Sequence, residues 1–251
     1  MDRDPKLKEP VRLSKLMSER GLCSRREADA LIEQGLVFVN GERVSQLGIR
    51  FPPDVEIELD PQARQTQRGF ATIMLNKPVG YVSMLRDEKY PSAYELLTEP
   101  NLMKGQEELF RRKHFNDLSI IGRLDIDSHG LLLFTQDGRI AKQVIGPDSN
   151  TEKEYLVRTE ERISDDQIKL LSYGLELEGE KLKRAQVEQL DETFMKIVLT
   201  QGKHRQIRRM CELVDLHVTG LKRVRIANLK LGSLPRGQWR YVEPGEVVPG
   251  L

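Results

Sequence analysis

Two cysteines in 251 residues, Cys23 and Cys211, are too few and too far apart for a disulfide framework or a metal-ligand pair. The chain is therefore read as reduced and cytoplasmic. Four histidines, His114, His129, His204 and His217, show no HxxxH or HxH spacing, so no metal site is expected. No apolar run approaches the roughly 18 residues that span a bilayer, and the N-terminus has no signal-peptide core. No membrane partner is expected. The single tryptophan, Trp239, has no aromatic neighbours in sequence to make a stacking array and reads as core or interface. There is no internal repeat and no low-complexity tract. What is present, 38% hydrophobic and 31% charged residues, fits a globular protein with one sizeable domain or a moderate domain plus a small one.

The net charge of +1 hides an asymmetry. Residues 201–240 carry ten Lys or Arg against Glu212 and Asp215 alone. A nearly single-signed basic segment on an otherwise acidic chain suits a nucleic-acid partner, since phosphate contacts dominate such affinity.

Residues 1–10 read as a polar tail. Leu13, Leu16 and Met17 fall at helical spacing before Gly21. Ser24-Arg25-Arg26-Glu27 is a capping box opening a second helix that Gly35 ends. Val37 and Val39 alternate, Asn40-Gly41 signals a tight hairpin, and Val55, Ile57 and Leu59 alternate again. This αα-ββ order over residues 11–60 resembles the ribosomal S4-like RNA-binding module. The resemblance rests on Arg12–Leu16, Ser24–Ala28 and Val37–Gly41, and it implicates Lys15, Arg25 and Arg26 in RNA contact. Residues 1–60 hold ten basic and twelve acidic side chains, so such contact depends on local clustering.

Residues 61–69 have the polar composition of a linker. Residues 70–251 then form the larger domain. Phe70 to Leu75 reads as a strand, Asn76-Lys77-Pro78-Val79-Gly80 as a turn, and Tyr81-Val82-Ser83 as strand again. Arg86 to Asn116 reads as an irregular excursion with one short helix near Ala93 to Leu97. Strands outnumber helices and the order is no regular βαβ series, so the expectation is α+β with a mixed, largely antiparallel sheet.

The densest signal is Gly122-Arg123-Leu124-Asp125, lying between the apolar runs Leu118–Ile121 and Leu131–Phe134. A carboxylate there needs a partner or a task, because an isolated buried charge is costly. An arginine within about 4–6 Å keeps an aspartate ionised, and a guanidinium orients it in two-pronged fashion. Tyr155 begins an apolar strand after a charged turn, and 200–210 joins a strand end to a basic helix start. Asp125 and Asp127 could pair as in a glycosidase, but such pairs usually come from different elements. Asp127 reads as a turn cap acting through Ser128 and Gly130.

Gly122-Arg123-Leu124-Asp125, Lys153-Glu154-Tyr155-Leu156-Val157 and Gly202 to Met210 resemble the three signature motifs of the RsuA/RluB/RluE/RluF branch of pseudouridine synthases. Asn76-Lys77-Pro78-Val79-Gly80 resembles that family's opening motif, and Gln206 to Glu212 leans towards its RluF-like side. The likeness spans residues 11–242. It implies an RNA pseudouridine synthase, with Asp125 as the essential aspartate, Tyr155 as the active-site tyrosine and Arg208 as the arginine paired with the aspartate. Arg123 is implied to meet the flipped nucleotide. Further RNA contacts are assigned to Lys77, Lys203, Arg205, Lys222 and Arg223. The implied reaction isomerises uridine with no cofactor or metal, since nothing is oxidised or hydrolysed. Asp125 could attack C1′, attack the uracil ring, or promote a glycal route; the sequence leaves all three open.

The expected substrate is a uridine of large-subunit (23S) ribosomal RNA, with small-subunit RNA and tRNA as alternatives, acted on by a monomer. Two rivals are a non-catalytic ribosome-assembly factor and a hydrolase that releases free base. Ser128, where the family often has Thr, and His129 are small departures from its pattern.

Overall fold

The computed structural model describes residues 9–105, 111–146, 148–243 and 245–247. Most of the tail and the middle of the Arg86–Asn116 excursion lie outside the described residues. The chain divides into two compact units, Met1–Phe70 with Asp137–Lys142, and Ala71–Gln136 with Gln143–Leu251.

In the first unit, β1 (Val11–Arg12) leads into α1 (Leu13–Glu19), followed by α2 (Arg25–Glu33). The Ser24 side chain accepts the Glu27 N–H while Glu27 accepts from Ser24, so the capping box is formed. Strands β2 (Val37–Val39) and β3 (Glu42–Val44) join at Asn40-Gly41, both at positive φ (51° and 82°), as a tight hairpin turn requires. β4 (Arg50–Phe51) pairs with β1, and β5 (Ile57–Leu59) pairs with β2. Leu13, Met17, Ala28, Ile32, Val37, Val39 and Leu59 make the core.

The expected linker is instead a helix, α3 (Pro61–Arg68). Asp60 caps it by accepting the Gln62 N–H, and Pro61 occupies its first position. Its inner face is Ala63 and Gln67, the latter donating to the Leu22 carbonyl at 2.9 Å. One small apolar residue and a hydrogen-bonded amide leave no apolar stripe for periodicity to detect.

The second unit is built on one sheet. Its strands are β6 (Thr72–Lys77), β7 (Ser119–Ile121), β8 (His129–Thr135), β9 (Lys153–Thr159), β12 (Gln186–Asp191), β13 (Phe194–Leu199), β14 (Val218–Ile226), β15 (Leu229–Lys230) and β16 (Trp239–Tyr241). A separate hairpin, β10 (Glu176–Leu177) and β11 (Glu180–Lys181), turns at Glu178-Gly179. Helices α4 (Gly138–Ile145), α5 (Asp165–Ser172) and α6 (Gln206–Glu212) complete the element order. Strand order is β12-β13-β9-β14-β8-β6-β16, with β15 on β14 and β7 on β8. Every pairing is antiparallel except β8 with β14, so the mixed, largely antiparallel α+β expectation is met.

At the parallel seam Gly130 lies opposite Arg223. A Cβ on Gly130 would stand 2.2 Å from the Arg223 carbonyl oxygen, and its φ is +101°. Only glycine fits.

Tyr81–Ser83 does not continue a strand; it makes one bridge, Val82 to Ser92. The excursion holds short 3-10 turns at Ala93–Leu96, Glu99–Asn101 and Arg112–Phe115. Trp239 is buried edge-on to Phe115 and Tyr241 and donates to the Thr98 carbonyl at 2.7 Å. None of the helices among the described residues is long and apolar enough to cross a membrane.

Candidate active site

Between β7 and β8 runs the 122–128 loop, which Gly122 enters at φ +67°. The Ser128 N–H closes a turn on the Asp125 carbonyl at 3.1 Å. Five distant residues then hold the loop's backbone. Arg223 donates to the Gly122 carbonyl (2.6 Å) and the Leu131 carbonyl (2.8 Å). The Ser83 hydroxyl donates to the Leu124 carbonyl (2.7 Å) and accepts the Leu124 N–H (3.0 Å). The Gly80 N–H meets the Ile126 carbonyl (2.8 Å). Arg208 donates to the Asp127 carbonyl (3.0 Å), and the Lys77 ammonium to the Ser128 carbonyl (2.8 Å). Charged donors bind carbonyls more strongly than neutral ones, so the loop is set before any ligand arrives.

Two carboxylates sit on this loop. Asp127 accepts both arms of the Arg205 guanidinium (3.2 and 3.1 Å) and lies 3.3 Å from Arg208 Nε. Burial pushes the Asp127 carboxyl up, but the Arg205 hydrogen bond and the Arg208 and Arg205 charges outweigh it, leaving the group below the usual range. Asp125 is the less tightly paired of the two. Its side chain is 29% exposed, and Arg205 Nη1 stands 3.9 Å from its Oδ2. Arg205 itself begins α6 at φ +49°, an uncommon backbone state for a residue with a Cβ.

Asp125 lines an open cleft of about 810 Å³ with Arg123, Lys153, Tyr155, Arg205 and Arg223. That is within the range of pockets that take nucleotide-sized ligands. Tyr155 on β9 pairs in register with Arg223 on β14, whose guanidinium carbon is 6.0 Å from the tyrosine ring centroid. The Tyr155 hydroxyl has no hydrogen-bond partner among the described residues. A ring held by a cation with a free hydroxyl can stack on a base and pass a proton.

Several assigned residues stand elsewhere than the sequence suggested. Arg208 engages Asp127, not Asp125, because the 125–128 turn presents Asp127 to the first turn of α6. Lys77, expected to meet RNA, is fully buried with its ammonium on the Pro78 and Ser128 carbonyls. Burial pushes it down to about 8. Arg223 is also buried and serves the loop's backbone. Lys203 lines the cleft but is paired with Glu180. Lys222, next to Arg223 on β14, does not line it. Arg123 is exposed at the cleft. In the first unit Lys15, Arg25 and Arg26 are exposed, with Lys15 3.5 Å from Glu19. Asp127, expected as a turn cap, is the centre of an arginine network. Its lone signal was a second acid within three residues of Asp125.

Residues 71–213 match the RNA pseudouridylate synthase family, and residues 11–57 match the S4 domain. The chain is 35% identical over 240 residues to the dual-specificity RNA pseudouridine synthase RluF of Escherichia coli strain K12, covering 95% of this chain and 77% of that one. It is 32% identical over 241 residues to the ribosomal small subunit pseudouridine synthase A of the same strain, covering 95% and 99%. A solved pseudouridylate synthase superposes with a TM-score of 0.65 at 27% identity, covering 94% of this chain and 98% of the other. A motif-bearing loop, a nucleotide-sized cleft and relatives that match nearly the whole of this chain place it in the RNA pseudouridine synthase family, with an S4 domain at its N-terminal end.

Proposed function

We propose that the cleft isomerises one uridine of ribosomal RNA, in the large-subunit 23S molecule, to pseudouridine. One observation carries the site assignment: Asp125 opens on the cleft beside Tyr155, with the Arg205 guanidinium 3.9 Å from its Oδ2. The N1–C1′ bond breaks, the uracil turns while held, and C5 joins C1′. The C5 hydrogen leaves as a proton and N1 gains one, so atoms and electrons balance without an added reagent. Asp125 is the group that acts at C1′, at the ring, or by proton transfer on a glycal route, and Tyr155 is the stacking platform. Arg123 meets the flipped nucleotide at the cleft's exposed rim. The target must leave its helix or loop to enter, as base-modifying enzymes require.

Small-subunit RNA and tRNA are the alternative substrates. Tritium release from C5-labelled uridine tests the reaction, and each RNA supplied separately tests the substrate. Release from small-subunit RNA alone would overturn the 23S assignment. Release of free uracil would mean hydrolysis, and bound RNA with no release would favour an assembly factor.

Residues 11–60 act as the targeting module and 70–251 as the catalytic one, in a cytoplasmic monomer. Arg25→Glu with Arg26→Glu leaves the Ser24–Glu27 capping box in place. If both arginines meet phosphates, the salt dependence of RNA binding loses about two units of slope. An unchanged slope would remove this helix from RNA recognition.

A further inference from the structure

Lys153 opens β9, two residues before Tyr155, and pairs in register with Leu199 on β13 and Ile226 on β14. It is 6% exposed, yet its ammonium has one protein acceptor, the Thr151 carbonyl at 3.2 Å. Among the described residues no carboxylate lies within 4 Å of it, and the charges that bear on it, Arg223 and Lys183, are both positive. A buried, unpaired ammonium is costly to keep. Its surroundings are not short of acids. Arg225, nearby on β14, is matched by Glu152 at 2.9 Å and Glu154 at 3.0 Å. The unmatched charge is the one that faces the cleft.

The same wall holds other unmet donors. Lys183 lines the cleft with its ammonium on Asn150 Oδ1 (3.0 Å), a neutral partner. Its backbone N–H donates to Gln201 Oε1 at 3.2 Å, which leaves the buried Gln201 Nε2 without an acceptor among the described residues. Two ammonium groups and an amide, all donors, line the cleft that Asp125 also lines. The buried donors, Lys153 and Gln201 Nε2, call for an acceptor from outside the protein, and the exposed Lys183 adds a second charge beside them. An anion with several oxygens satisfies them together, as a phosphodiester does.

We propose that Lys153, Lys183 and Gln201 form a subsite for one backbone phosphate of the RNA beside the flipped uridine. The subsite rests on the reading that this cleft takes a uridine. It holds the substrate by charge and has no part in bond making.

The test is Lys153→Met and, separately, the exposed Lys183→Met, with 23S RNA transcribed in vitro as the probe. Each variant should lower the slope of log affinity against log salt by about one unit and raise Kd about tenfold, or ~1.4 kcal/mol. The loss should fall on KM, with kcat little altered, and Lys153→Arg should restore it. Burial and the Arg223 and Lys183 charges push Lys153 down to about 8. Wild-type RNA affinity should therefore weaken as pH rises through about 8, and Lys153→Arg should remove that weakening. Lys77, also pushed down to about 8 and facing Asp125, Asp127 and Arg223, is unaltered in that variant, so it cannot account for the difference. Unchanged salt slopes in both variants would overturn the proposal, and lost kcat at an unchanged slope would assign Lys153 to the base. The slopes are read from binding alone, so a wild type that binds RNA but makes no pseudouridine would sink the reaction and not the phosphate subsite.

Discussion

Asp125→Asn should abolish tritium release, by at least about 10⁴-fold, while the Kd for RNA moves by less than about threefold. Ten-thousandfold is ~5.5 kcal/mol of barrier, a loss expected of a group that meets the reacting atoms and not of one that only orients them. Asparagine keeps the shape and one acceptor oxygen but neither charge nor basicity. The loop should survive the change. Its backbone hangs from Arg223, Ser83, Gly80, Arg208 and Lys77, and none of these bonds uses the Asp125 side chain. Arg205 keeps its two-pronged pairing with Asp127. Removing a negative charge from a cleft that receives RNA should not weaken binding. Turnover within tenfold of wild type would take Asp125 out of the chemistry.

Gly130→Ala should be the most damaging conservative change in the catalytic unit. The new methyl group would meet the Arg223 carbonyl oxygen at 2.2 Å and its amide nitrogen at 2.9 Å, in a backbone state of φ +101°. Both obstructing atoms belong to a central strand, so relief requires the β8–β14 seam to part. A loss of at least about 3 kcal/mol is expected, which for a chain of this size lowers Tm by roughly 6–12 °C. Gly202→Ala is the control, since nothing lies within 4 Å of its Cβ. Thermal unfolding by circular dichroism checks both. A Gly130→Ala protein melting within 2 °C of wild type would show that the seam yields.

Much of this was legible in the residues, and the failures share a cause. The capping box at Ser24–Glu27, the Asn40-Gly41 hairpin and the apolar β8 each carry their own local signal, and each is where the spacing put it. The helix at Pro61–Arg68 has almost no apolar face, so composition gave a linker. At the site, residue types pointed to the right loop but not to the contacts within it. The motifs assign Lys77 and Arg223 to RNA and Arg208 to Asp125, yet all three spend donors on backbone carbonyls of the loop and its flanks. Whether a cation faces solvent or backbone depends on pairings such as Lys77 to Ser128 and Arg208 to Asp127, which lie 51 and 81 residues apart and fall outside any short window along the chain. Lys153 shows the converse: a buried charge without a counter-charge becomes notable only once its neighbours in space are known.

The loop that carries Asp125 also bears on when the enzyme becomes one. Its anchors come from β6, from the segment around Ser83, from α6 and from β14, with Arg223 the last of them in chain order. Non-local pairings form slowly, and the parallel one between β8 and β14 joins segments more than 90 residues apart. A chain still emerging, or one folded short of that seam, can bind RNA through its basic surfaces but holds its aspartate in no fixed place. Chemistry is therefore confined to the finished molecule. In refolding experiments, recovery of turnover should lag recovery of the hairpins and track closure of that single seam.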